Sequence, residues 1–217
     1  MTTTRRVLPY GDRAVLVEPG AGDDLAALAR AIDTLPAPGI VDVVPAACTV
    51  LVVVDPRLTE PRVITDLVLG LAPAPAPADG VAHDGAATDA DLVVIDVVYD
   101  GDDLDLVAAH AGIDVAEVIR RHEASRYRSR FCGFAPGFAY LSGGDPCLTV
   151  PRLATPRTRV PAGSVALAAG WCGVYPREMP GGWMLIGRTD APLWDLTRER
   201  PALLAPGTNV RFRRRAG

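Results

Sequence analysis

Between Phe131 and Thr189 the chain places ten glycines and seven prolines in 59 residues. In a helix interior a glycine costs about 1 kcal/mol and a proline about 3 kcal/mol, so this stretch forms no long helix. It predicts short strands joined by backbone-defined turns about every 8–12 residues, the rhythm of a small barrel or sandwich. Aromatic and arginine side chains are set among the glycines, which suits a binding surface. Function is therefore sought here first.

The sequence before it reads differently. Arg13–Glu18 alternates as a strand, and Asp23–Leu35 carries Leu25, Leu28, Ala29, Ile32 and Leu35 at helical spacing. Ile40–Val44 and Thr49–Asp55 predict two more strands, and Pro61–Leu71 a helix opened by proline. The resulting βαββα order predicts a ferredoxin-like α+β N-terminal domain over residues 1–72. Residues 73–90, rich in alanine, proline and glycine, read as a solvated linker containing His83. A second domain spans 91–217: a strand at Leu92–Tyr99, helices at Asp103–Ala111 and Asp114–Ala124, then the glycine-rich barrel, closed by strands at Leu193–Leu196 and Thr208–Phe212. Asp114 with Glu117 forms a capping-box start for the second helix.

Charge and composition exclude several functions. All 22 basic residues are arginine, and a chain without lysine has neither a Walker-A lysine nor a Schiff-base nucleophile. Residues 1–119 hold 6 arginines against 20 acids, residues 120–217 hold 16 against 6. The basic half suits an anionic small molecule or an acidic partner surface; no helix-turn-helix or zinc-finger pattern points to nucleic acid. Cys48, Cys132, Cys147 and Cys172 show no metal-ligand spacing with His83, His110 and His122. A nucleophilic cysteine needs a base beside it, and all three histidines lie outside the glycine-rich stretch, so only folding decides that question. The opening residues show no signal peptide and no apolar run reaches bilayer length, so a cytoplasmic protein is expected.

Four constellations stand out within the barrel. Phe134, Pro136, Phe138 and Tyr140 lie around glycines, their rings filling a core or walling a pocket. Pro151-Arg152 and Pro156-Arg157 set guanidinium groups after fixed backbone, either for an anion or for ion pairs with the acidic half. Ser164, in Pro161-Ala162-Gly163-Ser164, sits on a turn that is not a GxSxG elbow. Tyr175, then Gly181-Gly182-Trp183 and Arg188, combine a glycine turn with an aromatic wall and a cation.

Together, GFAPGFAYL, PRxxxPRxRVPAGSVA, GVYP and PGGWxLIGRT resemble the KipI-like family, also known as allophanate hydrolase subunit 1 or the B-type subunits of 5-oxoprolinase. The resemblance extends to Tyr10-Gly11-Asp12-Arg13-Ala14, to Val97-Val98-Tyr99 and to Val118-Ile119 with His122. It implies an N-terminal α+β domain followed by a mainly β, cyclophilin-like barrel. It further implies one component of an ATP-dependent, cytoplasmic hydrolase complex, inactive alone, converting 5-oxoproline to glutamate. The expected partners are a C-type subunit with a related barrel (the allophanate hydrolase subunit 2 type) and an A-type subunit. ATP, with Mg²⁺, is the expected cofactor, at a site shared with or supplied by a partner. In that chemistry ATP phosphorylates the lactam oxygen and water then opens the ring. Arg157 and Arg188 would hold anionic oxygens as catalytic groups and His122 would move a proton. Phe134, Pro136, Phe138, Tyr140, Arg152, Ser164, Tyr175, Gly181, Gly182 and Trp183 would line the cleft. Other members imply two alternatives, a histidine-kinase inhibitor or a component of allophanate hydrolase. Where the family turn AGxQTG is expected, this chain has Ala169-Gly170-Trp171-Cys172-Gly173. Substrate identity changes if those polar positions touch substrate, and nothing changes if they only shape the turn.

Overall fold

The computed structural model describes residues 4–74 and 92–216, and the chain divides into two units, Met1–Ala86 and Ala87–Gly217. The expected linker lies outside the described residues except for its first two positions, and His83 lies outside them entirely.

The first unit contains β1 (Arg6–Pro9), β2 (Ala14–Glu18), α1 (Leu25–Asp33), β3 (Ile40–Pro45), β4 (Val50–Val54) and α2 (Pro61–Gly70). The four strands form one antiparallel sheet in the order β1-β2-β4-β3. Period-two alternation buries Val15, Val17, Val50, Val52 and Val54 against Leu28, Ile32, Ile64 and Val68 of the helices. Asp24 caps α1 by accepting from Ala27 N at 2.9 Å. Arg5 binds Asp23 through two hydrogen bonds and donates to the carbonyls of Val68 and Leu71 at the end of α2. The expected βαββα element order is present but does not describe the whole unit. An additional strand, β1, precedes it and takes the sheet edge beside β2. The four-residue segment RVLP, ending in proline, is too short to show a period of its own; tertiary pairing with β2 makes it a strand.

The second unit is mainly β. It contains β5 (Leu92–Val97), α3 (Leu104–Ala111), α4 (Val115–Ala124), β6 (Tyr127–Cys132), β7 (Ala139–Ser142), a 3₁₀ turn (Pro146–Leu148), β8 (Arg157–Val160), β9 (Ser164–Ala168), β10 (Trp171–Val174), β11 (Met179–Gly181), β12 (Met184–Arg188) and β13 (Asn209–Arg214). Seven strands form one sheet in the order β12-β9-β10-β7-β6-β13-β5, and β8 pairs with β11 as a separate ribbon. Reciprocal backbone bonds of 2.9 Å between Val98 and Arg188 join the two ends, so the sheet is a nearly closed barrel. The C-terminal strand β13 runs parallel to β5 over six register pairs. The strand expected at Leu193–Leu196 is reduced to a single bridge between Trp194 and Ala202.

Helices α3 and α4 pack Leu104, Val107, Val118 and Ile119 into the barrel core with Val165, Leu167, Val174 and Phe212. Gly112 ends α3 in the left-handed region at φ 66°, and Asp114 caps α4 by accepting from Glu117 N at 2.7 Å. No helix among the described residues is long and apolar enough to cross a membrane.

Candidate functional site

Alternation along the barrel strands sorts the candidate residues onto two faces. Ala139 and Leu141 of β7, Val165 and Leu167 of β9, and Cys172 and Val174 of β10 point into the barrel. Tyr140, Ala166, Ala168 and Trp171 belong to a second cluster on the outer face. A register shift between Ser129 and Phe131 brings Phe131 to that outer face, where its ring stacks on Tyr140 at 4.3 Å and 16°. Phe138 is the hub: its ring meets those of Tyr140, Tyr175 and Trp183 edge-on at 5.2–5.4 Å. The small residues are required by this packing, since a Cβ on Gly173 would lie 3.0–3.1 Å from the Trp183 and Phe138 rings.

This geometry decides between core and pocket for each aromatic candidate. Phe138, Tyr175 and Trp183 are buried and serve as core. Burial pushes the Tyr175 phenol up, and its oxygen accepts the Trp183 backbone N–H. Tyr140 and Trp171 are half-buried, their rings 5.9 Å apart and nearly perpendicular. Phe134 and Pro136 are exposed. Phe134 adopts φ 70°, a left-handed conformation that costs an L-residue about 1–2 kcal/mol. At Gly181 the Tyr175 hydroxyl fills the space a Cβ would need, whereas at Gly182 a Cβ would meet Pro156 only in ordinary contact at 3.5 Å. Ser164 is buried and donates its hydroxyl to Pro161 O at 2.8 Å, closing its own turn.

Two of the three candidate arginines, Arg157 and Arg188, are held by one loop. Gly101 lies so close to the β12 backbone at Leu185, Ile186 and Gly187 that no side chain fits there. This seats Asp100 and Asp103 on the strand. Asp103, 6 % exposed, accepts from Arg157 Nη2 at 2.8 Å and from Leu185 N at 2.7 Å. Asp100 accepts from Arg188 Nε at 2.8 Å, both side chains being about half exposed. Arg157 is thus a fixed clamp, whereas an exposed pair such as Arg188–Asp100 opens at a cost of less than about 1 kcal/mol. Arg152 is exposed and near enough to Tyr175 to favour its ionised form. Arg188 and Arg152 are accordingly the cations available to an incoming anion.

His122 lies on the opposite side of the sheet. It is fully buried in the barrel core, its Nδ1 2.8 Å from Tyr99 Oη and its Nε2 3.4 Å from Cys172 Sγ. Folding therefore does bring a histidine to a cysteine, as the sequence left open. Burial holds the imidazole neutral, its pKa lowered to about 3, and pushes the Cys172 thiol up. The neighbouring cleft, lined by Gly144, Asp145, Gly170, Trp171 and Cys172, measures about 20 Å³, room for roughly one water. His122 and Cys172 are buried and neutral, with the partly buried Tyr99 against His122, and form a packing network and not an activated nucleophile. The expected proton-transfer role of His122 does not fit this placement, because no substrate reaches a fully buried ring. The candidate residues are thus divided between the inside and the outside of one sheet. Sequence reasoning missed Asp100 and Asp103; the Asp-Gly-Asp-Asp run was the available signal. In the N-terminal unit a groove of about 470 Å³ is lined by Arg13, Val41, Val53, Asp55 and Arg57, with Arg57 committed to Asp55.

Residues 5–204 match the carboxyltransferase domain, subdomain C and D. The chain belongs to this family. It is 32 % identical to the B subunit of 5-oxoprolinase from Bacillus subtilis (strain 168), over 98 % of this chain and 93 % of that protein. It is 47 % identical over 124 residues to the B subunit of 5-oxoprolinase from Escherichia coli O157:H7, the match spanning 56 % of this chain and 57 % of the relative's length. Among solved structures, TTHA0988 superposes with a TM-score of 0.75 at 36 % identity, covering 95 % of this chain but 40 % of its own. The motif resemblance to the KipI-like family of B-type 5-oxoprolinase subunits is therefore confirmed.

Proposed function

We propose that this chain acts in the cytoplasm as the B-type subunit of a complex that opens the lactam ring of 5-oxoproline to glutamate and consumes ATP. The observation that carries the reading is its similarity, along nearly its whole length, to a protein named as the B subunit of 5-oxoprolinase. The geometry supports a chain that is inactive alone. Among the described residues, His122 and Cys172 are sealed, Ser164 closes a turn, and Arg157 is clamped to Asp103. The barrel is read as cyclophilin-like.

Among the described residues no group of three or more His, Cys, Asp or Glu could hold a metal ion, and Mg²⁺ bound with ATP needs only one or two carboxylates beside the phosphates. The nucleotide site is read as shared with, or supplied by, a partner of the C type or the A type. This chain contributes its half-exposed outer face, with Tyr140, Trp171, Arg152 and Arg188 nearest to solvent, and the carboxylate of 5-oxoproline is the anion those arginines would meet.

The test is reconstitution. The chain is combined with the host's C-type and A-type subunits, and phosphate and glutamate release are followed with and without 5-oxoproline. Coupled release of both products only with all three components present is expected. A complete complex that hydrolyses no ATP with 5-oxoproline would refute the substrate assignment.

A further inference from the structure

Among the described residues two buried polar side-chain atoms meet no hydrogen-bond partner, Tyr127 Oη and Arg157 Nη1. Folded proteins pair the large majority of such groups, so each orphan marks a place where something from outside the chain completes the bonding. Tyr127 is neutral and lines the cleft of about 20 Å³, where a single water answers its hydroxyl. Arg157 differs, because its orphan nitrogen belongs to a cation. Asp103 engages Nη2 alone at 2.8 Å, and the donors on Nη1 meet no acceptor.

Further donors converge on the same place. Arg157 of β8 is the register partner of Gly181 of β11, and cross-strand partners project from the same face of a ribbon. On that face the Tyr175 hydroxyl fills the space a Cβ on Gly181 would need. Its oxygen accepts the Trp183 N–H, which leaves its proton to be donated. Arg152 is brought alongside by its neighbour Leu153, whose N–H bonds Gly182 O at 2.8 Å. It is exposed, and no carboxylate pairs with it among the described residues. The charged groups acting on the Tyr175 hydroxyl are both cations, Arg152 and Arg157. The acids that act on Arg157, Asp103 and Asp102, come from the loop before α3. A surplus of cationic and hydroxyl donors around one point is the composition of an oxyanion site.

We propose that Arg152 and the Tyr175 hydroxyl bind one carboxylate or phosphate group beside Gly181, over the fixed charge of Arg157. The anion offsets that charge without displacing the Asp103 clamp, so Arg157 belongs to the site as scaffold and Arg152 closes on the ligand. Arg188 is the lesser candidate, since it must first leave Asp100. The inference deepens the functional reading and rests on it for the source of the anion, a substrate carboxylate or a nucleotide phosphate.

The test is a ¹H–¹⁵N NMR titration of the full chain with two probes, 5-oxoproline and inorganic phosphate, following the Trp183 backbone and indole signals. The variants are Arg152→Gln, Tyr175→Phe and, as a control, Arg159→Gln, whose exposed arginine pairs with Glu178. Saturable shifts with at least one probe are expected, with Kd raised about tenfold by Arg152→Gln and about threefold by Tyr175→Phe. Arg159→Gln should leave Kd unchanged. Arg152 is exposed, so its substitution decides the matter even where Tyr175→Phe weakens folding. Shifts with 5-oxoproline support a substrate carboxylate; shifts with phosphate alone support the site and withdraw that carboxylate as its occupant. No saturable shift with either probe would overturn the proposal, as would a Kd insensitive to Arg152→Gln or raised equally by Arg159→Gln. Turnover of 5-oxoproline by the reconstituted complex alongside such a result would keep the functional reading and remove this site alone.

Discussion

Replacing Asp103 by alanine tests whether the loop that seats the arginines is a structural clamp. The substitution strands two donors, Arg157 Nη2 and the Leu185 backbone N–H. Leu185 is 5 % exposed, so its N–H recovers no water; the Arg157 side chain is 27 % exposed and recovers some. An unsatisfied buried donor costs about 1–3 kcal/mol, and the guanidinium, being charged but partly wet, falls inside that range, for a total of about 3 kcal/mol. The assay is urea unfolding followed by tryptophan fluorescence. All three tryptophans, Trp171, Trp183 and Trp194, belong to the second unit, so the signal reports that unit alone. At a slope of about 2 kcal/mol/M the midpoint should fall by roughly 1.5 M. Arg188→Ala, which opens an exposed pair, should move it by less than about 0.5 M. Adding Arg157→Ala to Asp103→Ala should restore part of the loss, because it removes the charge left without a partner. A midpoint for Asp103→Ala within about 0.3 M of wild type would refute the clamp.

Three further outcomes follow from the same geometry. His122 ionises near 6.5 when unfolded and near 3 when folded, so its contribution is fully present above about pH 6.5 and is lost as pH falls toward 3. Between pH 7 and pH 5 the second unit should lose about 2 kcal/mol by urea titration, and His122→Phe should flatten that slope; an unchanged slope would count against a neutral core imidazole. Gly101→Ala places a methyl group into the β12 backbone and should cost about 3 kcal/mol by the same assay, a loss below about 1 kcal/mol showing that the loop lifts freely. Iodoacetamide at pH 8 should label exposed Cys48 in the native protein well before buried Cys172, whose thiol is pushed up; peptide mass spectrometry reporting equal rates would contradict the sealed network.

What could be read from the sequence was local. Asp114 and Glu117 announced the start of α4 because capping chemistry acts across three residues, and the β-branched run at Val50–Val54 marked a strand for the same short-range reason. Glycine and proline density announced short strands and turns in the second unit. The facts that govern the candidate site are of longer range. Val98 closes the barrel on Arg188, β13 pairs in parallel with β5, and Asp103 reaches Arg157 across 54 positions. None leaves a periodic trace, since each depends on which strand becomes the neighbour of which. The same limit applies to function. His122 had the residue type of an acid–base group and a place in a resembling motif, yet inward alternation on β10 put Cys172 beside it and sealed both. Arg157 and Arg188 had equal standing by residue type and differ only in their partners, one buried carboxylate and one exposed. Residue type therefore nominates, and the burial of the partner decides which nominee remains free to meet a ligand; by that criterion Arg188 and Arg152 stay in consideration and Arg157 passes to the scaffold.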